Sequence, residues 1–224
     1  MDTSDAIDHA LEHNTSWETL HLAGETIYLN RVIDPEKLLN VISEEAFDAD
    51  ERLPYWSEIW PSAVALAEYI LASREEFRDK NILEIGCGLG LTGLAATIAG
   101  GRVLFTDHDP HALLFTARSF EKNFSRPAQV ELLDWRELRD KRRFDMILAA
   151  DVLYETRWLE PVIQVIDNKL IPGGTALVAE PNRTIARSFF DLVKEKGWQH
   201  QSMLKQTRVS HKLHSVTIHR IITC

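Results

Sequence analysis

The sequence predicts an α/β protein whose core is a doubly wound, mostly parallel sheet of seven strands with an antiparallel last strand. Three observations favour this class. From residue 81 onward, short apolar segments alternate with segments of helical period, which is typical of strand–helix units. Residues 144–150 are fully apolar after Asp145, as expected of a central parallel strand. No long helix separates the last two predicted strands, so we expect an antiparallel finish.

The strands and helices of this part follow from apolar periodicity. The predicted strands are 82–85, 102–106, 128–133, 144–150, 175–179, 198–204 and 213–222. The predicted helices are 64–71, 91–99, 110–123, 156–170 and 185–196. Asp109 precedes Pro110 and is the expected N-cap of its helix. Pro172, Gly173 and Gly174 are expected to turn the chain before the fifth strand.

The first 53 residues predict an extension that precedes the main domain, residues 54–224. A short helix capped by Ser4 is followed by a hairpin over residues 17–32 with its turn at Ala23 and Gly24. Asp34 and Pro35 then favour a helix start, and this helix fades near residue 47. We expect the extension to form an accessory layer, not a domain with its own core.

The composition narrows the function classes. The chain has 224 residues and a net charge of −9, so we expect neither a broad phosphate-binding surface nor a nucleic-acid partner. Apolar runs are too short for a membrane helix, and the polar first 13 residues do not resemble a secretion signal. The two cysteines, Cys87 and Cys224, do not suggest a disulfide framework. A cytoplasmic protein without a membrane partner is therefore expected.

A glycine-rich loop follows the first strand of the sheet. Gly86, Gly88 and Gly90, with Cys87 between them, allow the backbone to turn tightly and to approach a ligand closely. The helix that begins near Leu91 presents free N–H groups to the same space. The sequence therefore predicts a ligand site at the carboxyl end of this strand.

Acidic residues accompany three consecutive strands. Glu84 lies inside the first strand, Asp107 ends the second, and Asp134 follows the third with Trp135 beside it. A carboxylate at Asp107 can accept hydrogen bonds from both hydroxyls of a ribose, and Asp134 can meet an adenine amino group. Residues 88–93 also match the dinucleotide pattern G-x-G-x-x-G, which leaves a dinucleotide as an alternative ligand.

These features together resemble the class I, seven-β-strand methyltransferases that depend on S-adenosylmethionine (SAM), from Ile82 to the C-terminus. The resemblance implies a Rossmann-like fold and SAM as the cofactor. It also implies that Glu84 orients the loop near the cofactor's amino group, that the glycines contact the methionine part, and that Asp107 holds the ribose. SAM carries no phosphate, so a site of carboxylates suits it better than it suits a dinucleotide.

The end of the fourth strand carries a second motif. Asp151-Val152-Leu153-Tyr154 resembles the Asp/Glu-x-x-Tyr/Phe signature of the seven-strand lysine methyltransferases. The segment from Pro54 to Pro61 is similar to the aromatic segment of the electron-transfer-flavoprotein β-subunit lysine methyltransferase and its bacterial relatives. This resemblance implies a protein lysine as methyl acceptor, with Asp151 orienting the amine. Tyr154 could instead be a helix-start residue that packs on the sheet.

Aromatic residues are expected to form the acceptor side of the site. The resemblance implies that Trp60 lies beside the cofactor. If the acceptor is a lysine, we expect Asp151 and Tyr154 to be the catalytic residues. The expected walls of the substrate channel are Tyr154, Trp56 and Trp60, with Tyr55 beside them. Two other functions stay open at this stage: methylation of nitrogen or oxygen in a small molecule, and a SAM-binding interaction module without catalysis. No metal is expected, because no cysteine or carboxylate cluster accompanies the scattered histidines.

Overall fold

The protein is described by a computed structural model over residues 3–39, 54–138 and 140–224. The main sheet contains seven strands: β3 (Asn81–Ile85), β4 (Arg102–Asp107), β5 (Gln129–Leu132), β6 (Phe144–Ala150), β7 (Leu170–Glu180), β8 (Gln199–Val209) and β9 (Lys212–Ile222). Five longer helices accompany it: α3 (Pro61–Ala72), α4 (Leu91–Ile98), α5 (Pro110–Phe124), α6 (Leu159–Lys169) and α7 (Ala186–Glu195).

The strand order is β5-β4-β3-β6-β7-β9-β8, and β9 is the antiparallel strand of this sheet. The predicted Rossmann-like architecture is therefore confirmed, including the antiparallel finish. The chain moves outward from β3 in one direction through β4 and β5, and in the other through β6 and β7. The order reverses between β3 and β6, and in open α/β sheets ligands bind at the strand ends beside this point.

The core lies on both faces of the sheet because neighbouring residues of a parallel strand point to opposite sides. On β3, Ile82 joins the cluster beneath α3 and α4, whereas Leu83 and Ile85 join the cluster beneath α6 and α7. On β6, Leu148 belongs to the first cluster and Ile147 to the second. Packing on both faces fixes the position of the strand ends that carry the site.

The extension contains helix α1 (Thr3–Leu11), strands β1 (Thr15–Leu22) and β2 (Glu25–Val32), and helix α2 (Glu36–Leu39). The hairpin turn is at Ala23 and Gly24, as predicted, and both residues have a positive φ, as a type I′ turn requires. The hairpin packs on α5, where the Asn123 side chain accepts from Tyr28 N–H at 3.1 Å and donates to Tyr28 C=O at 2.7 Å. The predicted continuation of α2 to residue 47 lies outside the described residues.

Some boundaries differ from the prediction. Residues 172–174, where we predicted a turn, lie inside β7. The pairing of β7 with β6 is irregular there, because Phe144 pairs with Leu170 and Met146 pairs with Thr175. The strand accommodates the extra residues of β7 without ending. The predicted helix from residue 156 begins as a 3-10 turn, Thr156–Trp158, before α6. The strand β8 continues to Val209, beyond its predicted end. In the ranges that the structure describes, no helix is both long and apolar enough to span a bilayer.

Candidate active site

A cleft opens at the carboxyl ends of β3, β4 and β6, and it encloses about 1120 Å³ of empty space, part of it open to solvent. All the site residues predicted from the sequence line it, except Gly90: Tyr55, Trp56, Trp60, Glu84, Gly86, Cys87, Gly88, Asp107, Asp134, Trp135, Asp151 and Tyr154. The fold thus brings the two predicted groups, the glycine loop with its acids and the aromatic segment with Asp151, into one cavity.

The glycine loop depends on backbone conformations that other residues rarely adopt. Gly86 has a φ of 60°, and a Cβ built there would lie 3.1 Å from the Trp135 ring. Gly90 has a φ of 82°, and its Cβ would lie 2.8 Å from two side-chain atoms of Thr116 on α5. Gly90 therefore lets the loop pack on α5 and begin α4, whereas Gly86 lets the loop approach the cavity wall.

Glu84 is buried beneath this loop. Its Oε1 accepts a hydrogen bond from the Thr92 hydroxyl. Its Oε2 is buried without a hydrogen-bond partner in the described residues. Burial raises the pKa of Glu84 to about 8, so the carboxyl is largely protonated at neutral pH. A buried carboxyl oxygen without a partner, beside a ligand cavity, suits a polar group of a bound molecule.

Asp107 connects the end of β4 to the glycine loop. Its Oδ2 accepts from Gly88 N–H at 3.0 Å, and its Oδ1 accepts from Asp109 N–H at 3.0 Å. An ionised carboxylate has about four acceptor positions, so acceptor capacity remains for the hydroxyls of a ligand. Asp109 itself caps α5 as predicted, because its side chain accepts from His111 N–H at 2.8 Å.

Asp134 lies in the same cleft but already has a cationic neighbour. The guanidinium of Arg136 donates to Asp134 Oδ1 at 2.9 Å and approaches Oδ2 at 2.5 Å, and these hydrogen bonds lower the pKa of Asp134. Beside it, the Trp135 ring meets the Trp158 ring edge-on, with centroids 5.7 Å apart. Asp134 can still accept another hydrogen bond, while Trp135 and Trp158 supply an apolar wall.

Aromatic rings form the opposite side of the cleft. The Tyr55 ring contacts the Trp60 ring at 6.2 Å and the Tyr154 ring at 5.6 Å between centroids, both edge-on. The Trp60 indole N–H donates to Tyr55 C=O at 2.8 Å, which fixes the turn between them. Burial raises the pKa of Tyr154, so its phenol stays neutral. These three rings form an aromatic rim, which is how we refer to Tyr55, Trp60 and Tyr154 below.

Trp56 differs from its neighbour Tyr55. Its side chain is buried, and its ring stacks on His111 and packs on Phe115, with centroids 6.1 Å and 5.1 Å apart. It contacts the cavity as part of a small cluster that also contains Ile7 and Leu11 of α1. Trp56 therefore holds the aromatic segment and the extension against α5, whereas Tyr55 is exposed at the rim.

Asp151 ends β6 in a left-handed conformation, with a φ of 59°. Its N–H donates to Ala179 C=O on β7 at 2.8 Å. Its carboxylate is nearly buried and accepts from the Ser62 hydroxyl at 2.9 Å and from Arg183 Nη2 at 2.6 Å. Sequence reasoning did not find Ser62 or Arg183. The signals available were that Ser62 lies two residues after Trp60 and that Arg183 closely follows the end of β7.

Glu58 is a further cavity residue that sequence reasoning did not single out. It is exposed and lies between Tyr55 and Trp60 in the chain. The other carboxylates that line the cleft have hydrogen-bond partners, namely Glu84, Asp107, Asp134 and Asp151. Within the described ranges, the Glu58 carboxylate is the one lining acid without a hydrogen-bond or ion-pair partner. The chain between Tyr55 and Trp60 therefore carries an exposed carboxylate that is not held in an ion pair.

Comparison with known proteins identifies the family of the chain. Residues 49–196 match the family described as lysine methyltransferase, which is more than half of the chain. The chain belongs to this family. The match includes the aromatic rim, the glycine loop and Asp151. The predicted membership of the lysine branch is thereby confirmed.

Several curated relatives carry more specific names. The chain is 32% identical to a protein-lysine methyltransferase METTL21E of Bos taurus over 68% of this chain and 50% of that protein. It is 32% identical to a histone-arginine methyltransferase METTL23 of Xenopus laevis, over 64% of this chain and 63% of that protein. It is 30% identical to an electron transfer flavoprotein beta subunit lysine methyltransferase of Danio rerio, over 58% and 51%. The chain thus spans about half to two thirds of these relatives.

A solved structure supports the fold. The 16S rRNA N2 G1207 methyltransferase RsmC of T. thermophilus, in complex with AdoMet and guanosine, aligns with a TM-score of 0.64. The alignment covers 94% of this chain and 51% of the RsmC chain, at 15% sequence identity. At this identity, the likeness shows the shared Rossmann-like fold.

Proposed function

We propose that the protein transfers a methyl group from SAM to the side-chain amine of a lysine in a protein. The observation that carries this proposal is the single cavity in which a glycine loop tied to Asp107 meets the aromatic rim and Asp151. Family membership and the names of the relatives METTL21E and electron transfer flavoprotein beta subunit lysine methyltransferase support it.

The cofactor side of the cavity suits SAM. When bound, SAM supplies a methyl group that its sulfonium already activates. Asp107 has acceptor capacity for the ribose hydroxyls, and the partnerless Oε2 of Glu84 suits the cofactor's amino group. Asp134 and Trp135 would hold the adenine. The lining carboxylates also disfavour a dinucleotide, because a pyrophosphate beside them would be repelled.

The acceptor side suits a cationic side chain that must lose a proton. Free lysine has a pKa of about 10.4, and only the neutral amine has a lone pair for attack. The aromatic rim removes water from the amine and so lowers its pKa, while the rings attract its cationic form on arrival. The exposed carboxylate of Glu58, beside the aromatic rim, favours an incoming cation over a neutral small molecule. Asp151 then orients the amine toward the methyl group.

The chain divides into an N-terminal extension and a main domain, and we assign the catalytic activity to the main domain. We infer that residues 54–224 carry the methyltransferase activity and that residues 1–53 form an accessory layer on α5.

Two free cysteines, with Cys87 buried, are compatible with action in the reducing cytoplasm.

The function is tested by incubating the purified protein and tritiated SAM with an extract of cells that lack the protein, and measuring methyl transfer to the extract. We expect labelled protein bands with the wild type, none with Asp151→Ala, and unchanged bands with Asp191→Ala. Asp191 is the matched control because it is an exposed acid on α7, away from the cavity. Calorimetry with S-adenosylhomocysteine should give the same affinity for all three proteins, so that a loss of transfer is assigned to the acceptor side.

The outcomes separate the alternatives. Label only in small solutes would refute a protein acceptor. Label on arginine instead of lysine would favour the activity named for the METTL23 relative. Tight binding of S-adenosylhomocysteine without any transfer would favour an interaction module.

A further inference from the structure

Arg183 contacts Asp151, an acid on the acceptor side of the cavity, from the segment that follows β7. It follows β7, and its guanidinium Nη2 lies 2.6 Å from Asp151 Oδ1 at the end of β6. Its own N–H donates to Glu180 Oε2 at 2.8 Å, which fixes the turn that directs Arg183 to Asp151. The Asp151 side chain is only 5% exposed, whereas that of Arg183 is 35% exposed, so the carboxylate of this ion pair is shielded from water and the guanidinium is partly hydrated.

The pair has a consequence for the protonation of a bound amine. A carboxylate without a counter-charge stabilises a nearby ammonium and raises its pKa. An ammonium has no lone pair and cannot attack a methyl group. With Arg183 bound, the charge of Asp151 is offset before an acceptor arrives. Asp151 still has acceptor capacity, since Arg183 and Ser62 occupy two of about four acceptor positions.

We propose that Arg183 is a positioning residue that pairs with Asp151, so that Asp151 can orient the acceptor amine without holding it as the unreactive ammonium. This inference rests on the proposed lysine methylation. Arg183 belongs neither to the glycine loop nor to the Asp-x-x-Tyr motif.

Other charged and titratable groups face the same region. They are Glu58 before α3, Tyr154 and Arg157 after β6, Glu180 on β7 with His219 of β9 at 3.3 Å, and, on the cofactor side, Glu84, Cys87, Asp107, His108, Asp134 and Arg136. All of them stay in place when Arg183 alone is replaced. A difference in pH dependence between the wild type and an Arg183 variant therefore reports on Arg183.

The test measures kcat against pH, with the lysine protein labelled by the wild type as substrate. Arg183→Gln removes the charge, and we expect the pH of half-maximal kcat to rise by about one unit. At neutral pH, kcat should fall about tenfold, because one pKa unit changes the neutral fraction of the amine tenfold. Arg183→Lys keeps a positive charge and should restore most of the wild-type profile. Arg187→Gln, on the exposed surface of α7, is the matched control.

The affinity for S-adenosylhomocysteine should stay at the wild-type value in all variants. If Arg183→Gln does not fold, as judged by thermal unfolding, Arg183→Met is the second uncharged variant. An unchanged half-maximal pH in the folded uncharged variant would overturn the proposal for Arg183, even if kcat falls, because a purely structural role lowers kcat without moving the profile. A wild type that labels no lysine would refute the proposed function and this inference together.

Discussion

Glu84→Gln should remove a pH dependence of stability that burial imposes on the folded protein. Burial raises the pKa of Glu84 from 4.5 to about 8, so between these values the folded state binds a proton that the unfolded state has lost. The stabilisation is complete below about pH 4.5 and is lost as the pH rises through 8. Each pH unit in this window changes the free energy of unfolding by up to about 1.4 kcal/mol. Glutamine has nearly the same shape but does not titrate.

From pH 6 to pH 8, the wild type should therefore lose about 2 kcal/mol relative to Glu84→Gln. Urea unfolding of both proteins at a series of pH values measures this difference. Glu68→Gln is the matched control, because Glu68 is a glutamate of α3 outside the cavity and should keep the wild-type slope. Parallel curves for the wild type and Glu84→Gln would refute the reasoning, since they would mean that Glu84 is ionised in the folded state at neutral pH.

Three further predictions test the loop, the ribose contact and the rim. Asp107→Ala should weaken S-adenosylhomocysteine binding at least about 100-fold in calorimetry, because two charge-assisted hydrogen bonds of about 1.5–3 kcal/mol each would be lost; a change below threefold would contradict the ribose assignment. Gly90→Ala should lower the thermal midpoint by about 5–10 °C, since it adds backbone strain and a Cβ 2.8 Å from Thr116. Gly173→Ala, at a φ of 74° but with open space, should cost less, and equal losses would remove the packing argument. Glu58→Gln should raise the KM for a lysine substrate severalfold and flatten its salt dependence, whereas an unchanged KM would exclude Glu58 from recognition.

Much of the fold could be predicted because its signals are local. The N-cap at Asp109, the hairpin turn at Ala23 and Gly24, and the apolar strand β6 each follow from a few adjacent residues, and the structure confirms them. The turn predicted at residues 172–174 was wrong because an irregularity in the pairing with β6 carries the strand through it. That pairing joins residues far apart in the sequence, and local turn preferences do not report it.

The site shows the same division between local and distant information. Strand ends and a glycine loop could be located from the sequence, and all the predicted site residues except Gly90 line one cleft. The partners of Asp151 could not, because Ser62 and Arg183 approach it from α3 and from the end of β7, 89 and 32 residues away in the chain. Tyr55 and Trp56 also looked equivalent in the sequence. The 3-10 turn at Tyr55–Ser57 directs Tyr55 to the rim and Trp56 into the core.

Tandem mass spectrometry of proteins methylated with deuteromethyl-labelled SAM identifies the chemical group that accepts the methyl. We expect the wild type to place one or more labelled methyl groups on the side-chain amine of a lysine, and Asp151→Ala to place none. Labelled methyl groups found on another chemical group, or on the same lysine at equal yield with Asp151→Ala, would contradict the proposed function.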